Sequence, residues 1–198
     1  ADAFYAMLDG HVGALDAAGC TLVLTADHGM NAKHKPDGSP DVIYLQALLD
    51  DWLGNGKARV ILPITDPYVA HHGALGSFAT AYLPEGTDVA SIKDRVAGVD
   101  GIELVLTRAE AETRFRLPGD RIGDLVVVAE RQKVIGTRAE LHDLSGLDEP
   151  LRSHGGLTEQ RVPMIANAKV ELEPGHVLCN FDVFDVALNR VVLEGSCR

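Results

Sequence analysis

The sequence predicts an α/β fold, a layered core interrupted by a smaller α+β domain. Short and nearly continuous apolar runs stand at 21–26 and 59–64, and stretches with helical spacing of apolar residues come before and between them. Such runs are typical of strands covered on both faces in a parallel sheet, and their alternation with helices is the α/β pattern. After residue 73 the elements become shorter and less regular, which indicates an inserted α+β domain.

The individual elements follow from spacing and from start and stop signals. A first helix is predicted over 2–18, with one apolar stripe that we expect to be buried. A second is predicted over 41–53, between the start signals Pro40 and Asp41 and the stop signal Gly54. The remaining predicted elements are strands at 77–83, 102–106, 124–129 and 162–166, and helices at 89–97, 108–115 and 181–192, the last started by Asn180.

The domain division follows from where the buried-strand pattern stops and resumes. It stops near residue 73 and returns after Pro150, in the strand predicted over 162–166. We therefore predict a core over 1–72 and 139–198, with an α+β cap inserted over 73–138.

Composition excludes several classes of function. The 198 residues include 18 basic and 29 acidic side chains, a net charge of −11, which argues against nucleic acid or an acidic membrane as a partner. No apolar run approaches the ~20 residues of a transmembrane helix. There is no signal-peptide pattern, and the three cysteines are widely spaced, so we expect a cytoplasmic protein with reduced thiols. An anionic substrate would need a local positive centre such as a metal ion.

Asp27 and His28 are the sharpest candidates for chemistry. They follow a predicted strand directly, at the sheet end where ligands gather in α/β proteins, and Gly29 lets the chain turn there. A carboxylate and an imidazole are normal zinc ligands. The alternative is structural, with Asp27 capping the following loop and His28 packing against it.

His154 is the second candidate ligand, because it precedes two glycines in a predicted loop where backbone and ligand can approach closely. A simple turn before the next strand is the alternative. Spacing alone cannot show that His154 meets Asp27 and His28. Ser153 beside it makes a poor serine-hydrolase pair, since adjacent residues rarely supply both nucleophile and base.

Other polar residues are weaker candidates. The cluster Lys33, His34 and Lys35 is interpreted as a solvated loop that would, at most, help to bind an anionic substrate. The pair His71–His72 suits a hinge, a site rim or plain surface. Three further histidines are predicted to be surface residues: His11, His142 and His176. There is no G-x-S-x-G elbow, P-loop, G-x-G-x-x-G or H-E-x-x-H motif.

Three segments together resemble one known family. They are LTADHGMNAKHKPDG, VILPITDPYVAHHGALGSFATAYLP and LRSHGGLTEQRVPMIAN, and the later NFDVFDVALN agrees with them. Together they resemble the phosphonoacetate hydrolases of the alkaline phosphatase superfamily, along nearly the whole chain. The resemblance implies an alkaline-phosphatase-like core and a two-zinc enzyme that cleaves the carbon–phosphorus bond of phosphonoacetate, a small phosphonate, to acetate and phosphate.

The resemblance also assigns residues. It implies that Asp27 and His28 bind the zinc ion that holds the nucleophile, and that His154 completes the other zinc site. The family's remaining ligands and its threonine nucleophile have no match here, so we expect them upstream and assign no catalytic residue to this chain. The expected core is therefore incomplete, and we expect a homodimer or association with the upstream segment.

Two other functions stay open. One is a different reaction of the same superfamily, such as that of a phosphodiesterase, phosphatase, phosphomutase or sulfatase-like hydrolase, because one fold hosts many reactions. The other is a non-catalytic fragment in which Asp27, His28 and His154 serve structure or hold one adventitious metal ion.

Overall fold

The computed structural model describes residues 1–64 and 75–192, which form two compact units. The first unit comprises Ala1–Asp27 and Arg161–Arg198, as far as residue 192, and the second comprises His28–Gln160. Within these described ranges, no helix has both the length and the apolar character needed to cross a bilayer.

The helices and strands are mostly short. The helices are α1 (Asp2–Ala17), α2 (Leu45–Leu53), α3 (Val89–Ala97), α4 (Arg108–Phe115) and the single turn α5 (Val183–Asp185). The strands are β1 (Val23–Thr25), β2 (Asn31–Ala32), β3 (Val42–Tyr44), β4 (Arg59–Ile61), β5 (Phe78–Tyr82), β6 (Ile102–Thr107), β7 (Leu125–Ala129), β8 (Val134–Gly136), β9 (Arg152–Ser153) and β10 (Met164–Ala166).

The second unit is built on a four-stranded antiparallel sheet in the order β4-β5-β7-β6. All five residues of β7 are buried, because successive side chains of a strand point to opposite faces and both faces are covered. Leu125 and Val127 join the apolar cluster formed with α2 and α3, whereas Val126 packs in the cluster that includes Ala111 of α4. The strand predicted over 124–129 is therefore confirmed.

Local capping explains why α3 and α4 have the predicted bounds. The Asp88 side chain accepts hydrogen bonds from the N–H groups of Ala90 and Ser91. Thr107 and Glu110 form a reciprocal capping box at the start of α4. Such caps satisfy the N–H groups that have no partner within the helix and so fix where it begins.

The helix predicted over 41–53 begins later than expected, at Leu45. The residues before it form β3, which pairs in parallel with β8. Val42 and Ile43 are β-branched residues that favour an extended backbone, and Ile43 is buried in the pairing. The start signals Pro40 and Asp41 thus precede a strand, and the helix follows it.

The domain division remains a prediction. The structure adds that β4, which comes before the predicted boundary at residue 72, hydrogen-bonds to β5, which comes after it. Gln46 of α2 also binds β4, since its side chain accepts from the Val60 N–H at 2.8 Å and donates to the Ala58 carbonyl at 3.0 Å.

The first unit contains the predicted first helix and strand, but they are less covered than expected. In α1 no residue is buried, and the apolar stripe is exposed, with Phe4 58% and Met7 52% accessible. Strand β1 pairs antiparallel with β10, and Leu24 and Ile165 are exposed. We expected β1 to be covered on both faces in a parallel sheet. This expectation is wrong for the described residues, among which β10 is the single partner of β1.

The helix predicted over 181–192 is interrupted. A 3₁₀ turn (Asn180–Asp182), the turn α5 and a wider π turn (Val186–Arg190) follow one another. The helix cannot continue to residue 192, because Val191 bridges to Val170 and the Val192 N–H donates to the Lys169 carbonyl at 2.8 Å.

Candidate functional site

The second unit brings His28 and His154 into direct contact. Their imidazole rings are stacked, with centroids 3.6 Å apart and an angle of 8° between the ring planes. Both side chains are half-buried. His28 Nδ1 lies 2.9 Å from the carbonyl oxygen of Gly29. A carbonyl oxygen can only accept, so we assign the proton to Nδ1 and the ring lone pair to Nε2.

Two very short strands produce this juxtaposition. β2 and β9 pair antiparallel, with Asn31 opposite Ser153. His28 lies three residues before β2 begins, and His154 directly follows the end of β9. In an antiparallel pair the start of one strand lies beside the end of the other, so the two histidine-bearing loops leave the pair at the same end.

The loop after His154 is shaped by close packing. Gly155 has a φ of +102°, in the left-handed region that favours glycine, and a Cβ atom there would collide with Ile64. The His154 carbonyl accepts a hydrogen bond from the Ser77 N–H at 2.8 Å. Ser153 is buried, and its hydroxyl donates to the Leu75 carbonyl at 2.6 Å. That hydrogen bond uses the proton of the Ser153 hydroxyl, so the structure does not support Ser153 as a nucleophile.

Glu159 is a buried residue of this region that we did not identify from the sequence. Its side chain accepts from the Gly156 N–H at 2.6 Å, and its backbone carbonyl accepts from the Gly29 N–H at 2.7 Å. The side chain also accepts from Lys33 Nζ at 3.1 Å, from the Thr158 hydroxyl at 2.9 Å and from the Asn31 amide. This bond from the Gly156 N–H is one half of a capping box, and glycine has no side chain to supply the other half. The sequence therefore lacks the usual capping-box signal that would have indicated Glu159.

The candidates Lys33, His34 and Lys35 have different environments. Lys33 is fully buried, so its interpretation as part of a solvated loop is wrong. Its Nζ donates to Glu159 and, at 2.7 Å, to the Arg131 carbonyl. His34 is half-buried with Nδ1 2.8 Å from the Lys35 carbonyl, and Lys35 is exposed as predicted.

Burial and hydrogen bonding shift the pKa values of the buried pair. Burial lowers the pKa of Lys33, and the hydrogen bond and charge of Glu159 offset this only in part. For Glu159, burial acts to raise the pKa, but hydrogen bonds from Asn31, Thr158 and Lys33 outweigh it and hold the pKa below its usual value.

Asp27 is exposed and is the last residue of the first unit, where its backbone carbonyl accepts a hydrogen bond from the Asn180 side chain at 3.3 Å. His28 and His154 both belong to the second unit. Within residues 1–64 and 75–192, no three His, Cys, Asp or Glu side chains are grouped as metal ligands.

The other histidines divide into three cases. His142 is buried and its Nε2 accepts from the Thr137 N–H at 2.9 Å, so its prediction as a surface residue is wrong. His11 and His176 are exposed, as predicted. The pair His71–His72 lies outside the described residues.

Comparison with known proteins shows first which fold the chain has. The chain is similar in fold to murine ectonucleotide pyrophosphatase/phosphodiesterase 5, with a TM-score of 0.51 and 22% identity over 80% of this chain and 38% of that one. The α/β fold is that of the alkaline phosphatase superfamily, as predicted. No family model matches the chain.

Within that superfamily the resemblance to phosphonoacetate hydrolase is confirmed. Crystal structures of the phosphonoacetate hydrolase of Sinorhizobium meliloti 1021, in complex with phosphonoformate and with phosphonoacetate, match with a TM-score of 0.87 and 60% identity. The match covers 93% of this chain and 45% of that chain. A phosphonoacetate hydrolase of Penicillium oxalicum is 54% identical over 39 residues, which are 18% of this chain and 54% of that protein. The chain thus spans about half the length of the relatives it matches.

Proposed function

We propose that this chain supplies part of a two-zinc site that hydrolyses the carbon–phosphorus bond of phosphonoacetate. The observation that carries the proposal is the stack of His28 on His154, two residues that the resemblance assigns to different zinc ions. The 60% identity with a phosphonoacetate hydrolase crystallised with phosphonoacetate supports the substrate.

The geometry of the stack fits two ions better than one. The lone pair of an imidazole nitrogen lies in the ring plane, and these two planes are nearly parallel and no more than 3.6 Å apart. One ion cannot lie in both planes. Two ions, one in each plane, can lie as close together as the ~3.5–4 Å of two-metal sites. This spacing suits the assignment of His28 and His154 to separate ions.

The roles of the chain's own residues follow. Asp27 and His28 would be ligands of one ion, and His154 a ligand of the other, with no proton transfer assigned to any of them. The His28 Nδ1–H bond to the Gly29 carbonyl orients the ring and leaves Nε2 as the ligating atom. When bound, two zinc ions would hold phosphonate oxygens and lower the pKa of an attacking oxygen. Lys35, being exposed, would attract an anionic substrate, whereas Lys33 is bonded to Glu159.

Zinc titration calorimetry of this chain and its variants tests the metal assignment. We expect the wild-type chain to bind Zn²⁺, and Asp27→Ala, His28→Ala and His154→Ala each to weaken binding. His176→Ala, which removes an exposed histidine, is the matched control and should leave binding unchanged. Equal Zn²⁺ affinity in all five proteins would contradict the assignment and favour a structural role for the three residues.

The substrate needs its own assay. Phosphate release from phosphonoacetate should be compared with hydrolysis of an aryl phosphate diester, with zinc present and with an upstream segment of the family supplied in trans. Faster release from phosphonoacetate supports the proposed reaction. Preference for the diester would instead favour a phosphodiesterase of the same superfamily.

A further inference from the structure

Glu159 contacts both of the loops that carry the stacked histidines. Its carboxylate accepts from the N–H of Gly156, two residues after His154. Its backbone carbonyl accepts from the N–H of Gly29, the residue after His28. One residue therefore bonds to the backbone beside each ring.

Glu159 is itself held from several directions. Lys33, Asn31 and Thr158 all donate to its Oε1 atom, so the carboxylate is fixed by more than its bond to Gly156. Lys33 is anchored in turn by the Arg131 carbonyl, and the Arg131 guanidinium donates to the Asn31 side chain at 3.2 Å. Because every member has a partner, the network has one well-defined arrangement.

Stability alone is a weak reason for this arrangement. The side chains of Lys33 and Glu159 are 0% and 1% exposed, and burying an ion pair costs desolvation energy that apolar side chains of similar volume would avoid. A buried pair of this kind is better explained if it fixes a conformation.

Glycine at position 156 allows a close approach of the Glu159 carboxylate. A Cβ atom on Gly156 would lie 2.7 Å from Glu159 Oε2, so a larger residue there would force the carboxylate to move.

We propose that Glu159, anchored by Lys33, is a positioning residue that fixes the loops of His28 and His154 in the stacked arrangement. The proposal rests on the proposed function for the identity of the bound ions. The positioning itself acts within the protein and holds whether or not an ion is present.

The test replaces the ion pair by apolar residues in the 198-residue chain. Lys33→Met combined with Glu159→Leu leaves no unpaired buried charge at either position but removes the bond to the Gly156 N–H. We expect amide hydrogen exchange at Gly156 and Gly29 to become roughly tenfold faster or more, and the Kd for Zn²⁺ to rise about 10–100-fold, as when partners of metal ligands are lost. Lys169→Met with Glu171→Leu removes an exposed ion pair and is the matched control; it should change neither quantity.

The two measurements separate the two proposals. If the wild-type chain binds no Zn²⁺, the proposed metal site is wrong. The exchange rates of Gly29 and Gly156 still test the positioning role of Glu159 in that case. A folded double variant with wild-type exchange rates at both glycines would overturn that role.

A second variant covers the case in which the double variant does not fold. Glu159→Asp keeps the charge that Lys33 requires but shortens the side chain by one methylene, which withdraws the carboxylate from the Gly156 N–H. We expect faster exchange at Gly156 in Glu159→Asp, and an unchanged rate there would overturn the proposal.

Discussion

Removing the cation of the buried pair should destabilise the protein strongly. Lys33→Met replaces a buried ammonium group by an apolar chain of similar length and leaves the Glu159 carboxylate, 1% exposed, without its cation. Breaking a buried pair by removing one partner costs about 3–5 kcal/mol, because the remaining charge is buried without compensation. For a protein of this size, that loss corresponds to a fall in Tm of roughly 6–20 °C.

The loss should depend on pH in a direction that the structure fixes. In the wild-type chain the pKa of Glu159 is below its usual value, so its carboxylate stabilises the fold above the unfolded pKa, and that contribution is lost as the pH falls through the folded pKa. In Lys33→Met the hydrogen bond and charge that lower this pKa are gone, while the burial that raises it remains. The variant therefore protonates Glu159 at a higher pH than wild type, and the stability difference should shrink as the pH is lowered from 7 towards 4.

Thermal and urea unfolding of the two proteins measure this difference. Lys169→Met, which breaks an ion pair with both side chains about two-thirds exposed, is the control and should change little. A Tm for Lys33→Met equal to that of wild type at pH 7 would refute the reasoning. A difference that grows as the pH falls would refute the assignment of the loss to an uncompensated Glu159 carboxylate.

Three further predictions concern other parts of the second unit. Leu125→Ala removes a fully buried side chain of β7 and should lower the free energy of unfolding by about 2–5 kcal/mol in urea titrations, so a loss below 1 kcal/mol would contradict the packing described. Gly155→Ala should lower the free energy of unfolding by about 1–3 kcal/mol. The loss should exceed that of Gly56→Ala, because Gly56 also has a positive φ, +70°, but has open space around it. Equal losses would mean that the collision beside Gly155 does not matter. Hydrogen bonds, foremost from Lys93, lower the pKa of Glu110 to about 2. Glu110→Gln should therefore be less stable than wild type above pH 4.5, and the difference in stability should vanish as the pH falls towards 2. A pH-independent difference would contradict the pKa shift.

The parts of the fold that sequence analysis predicted well are those fixed by local signals. The helices α3 and α4 have the predicted bounds, because their apolar spacing and their caps lie within a few residues of each other. The strand β7 was predicted at 124–129, where the run Leu125–Ala129 is apolar throughout. Strand β3 was missed, because Pro40 and Asp41 were interpreted as helix start signals and the partner strand β8 lies far along the chain, with Val42 opposite Val134.

The same distinction applies to the site. His28 and His154 were predicted as candidates from their positions at a strand end and before two glycines, but their contact depends on the pairing of β2 with β9, each two residues long. Such short strands leave almost no pattern in a sequence. Lys33 was misjudged because its partner, Glu159, is 126 residues away, and nothing near Lys33 indicates burial.

This separation of 126 residues also has a consequence for synthesis of the chain on the ribosome. Domains generally fold as units, and the second unit ends only at residue 160. Until residue 159 has emerged, Lys33 lacks the Glu159 carboxylate that pairs with it in the interior, although the last strand of the four-stranded sheet ends at residue 129. The histidine pair therefore cannot be fixed until nearly the whole unit has been made.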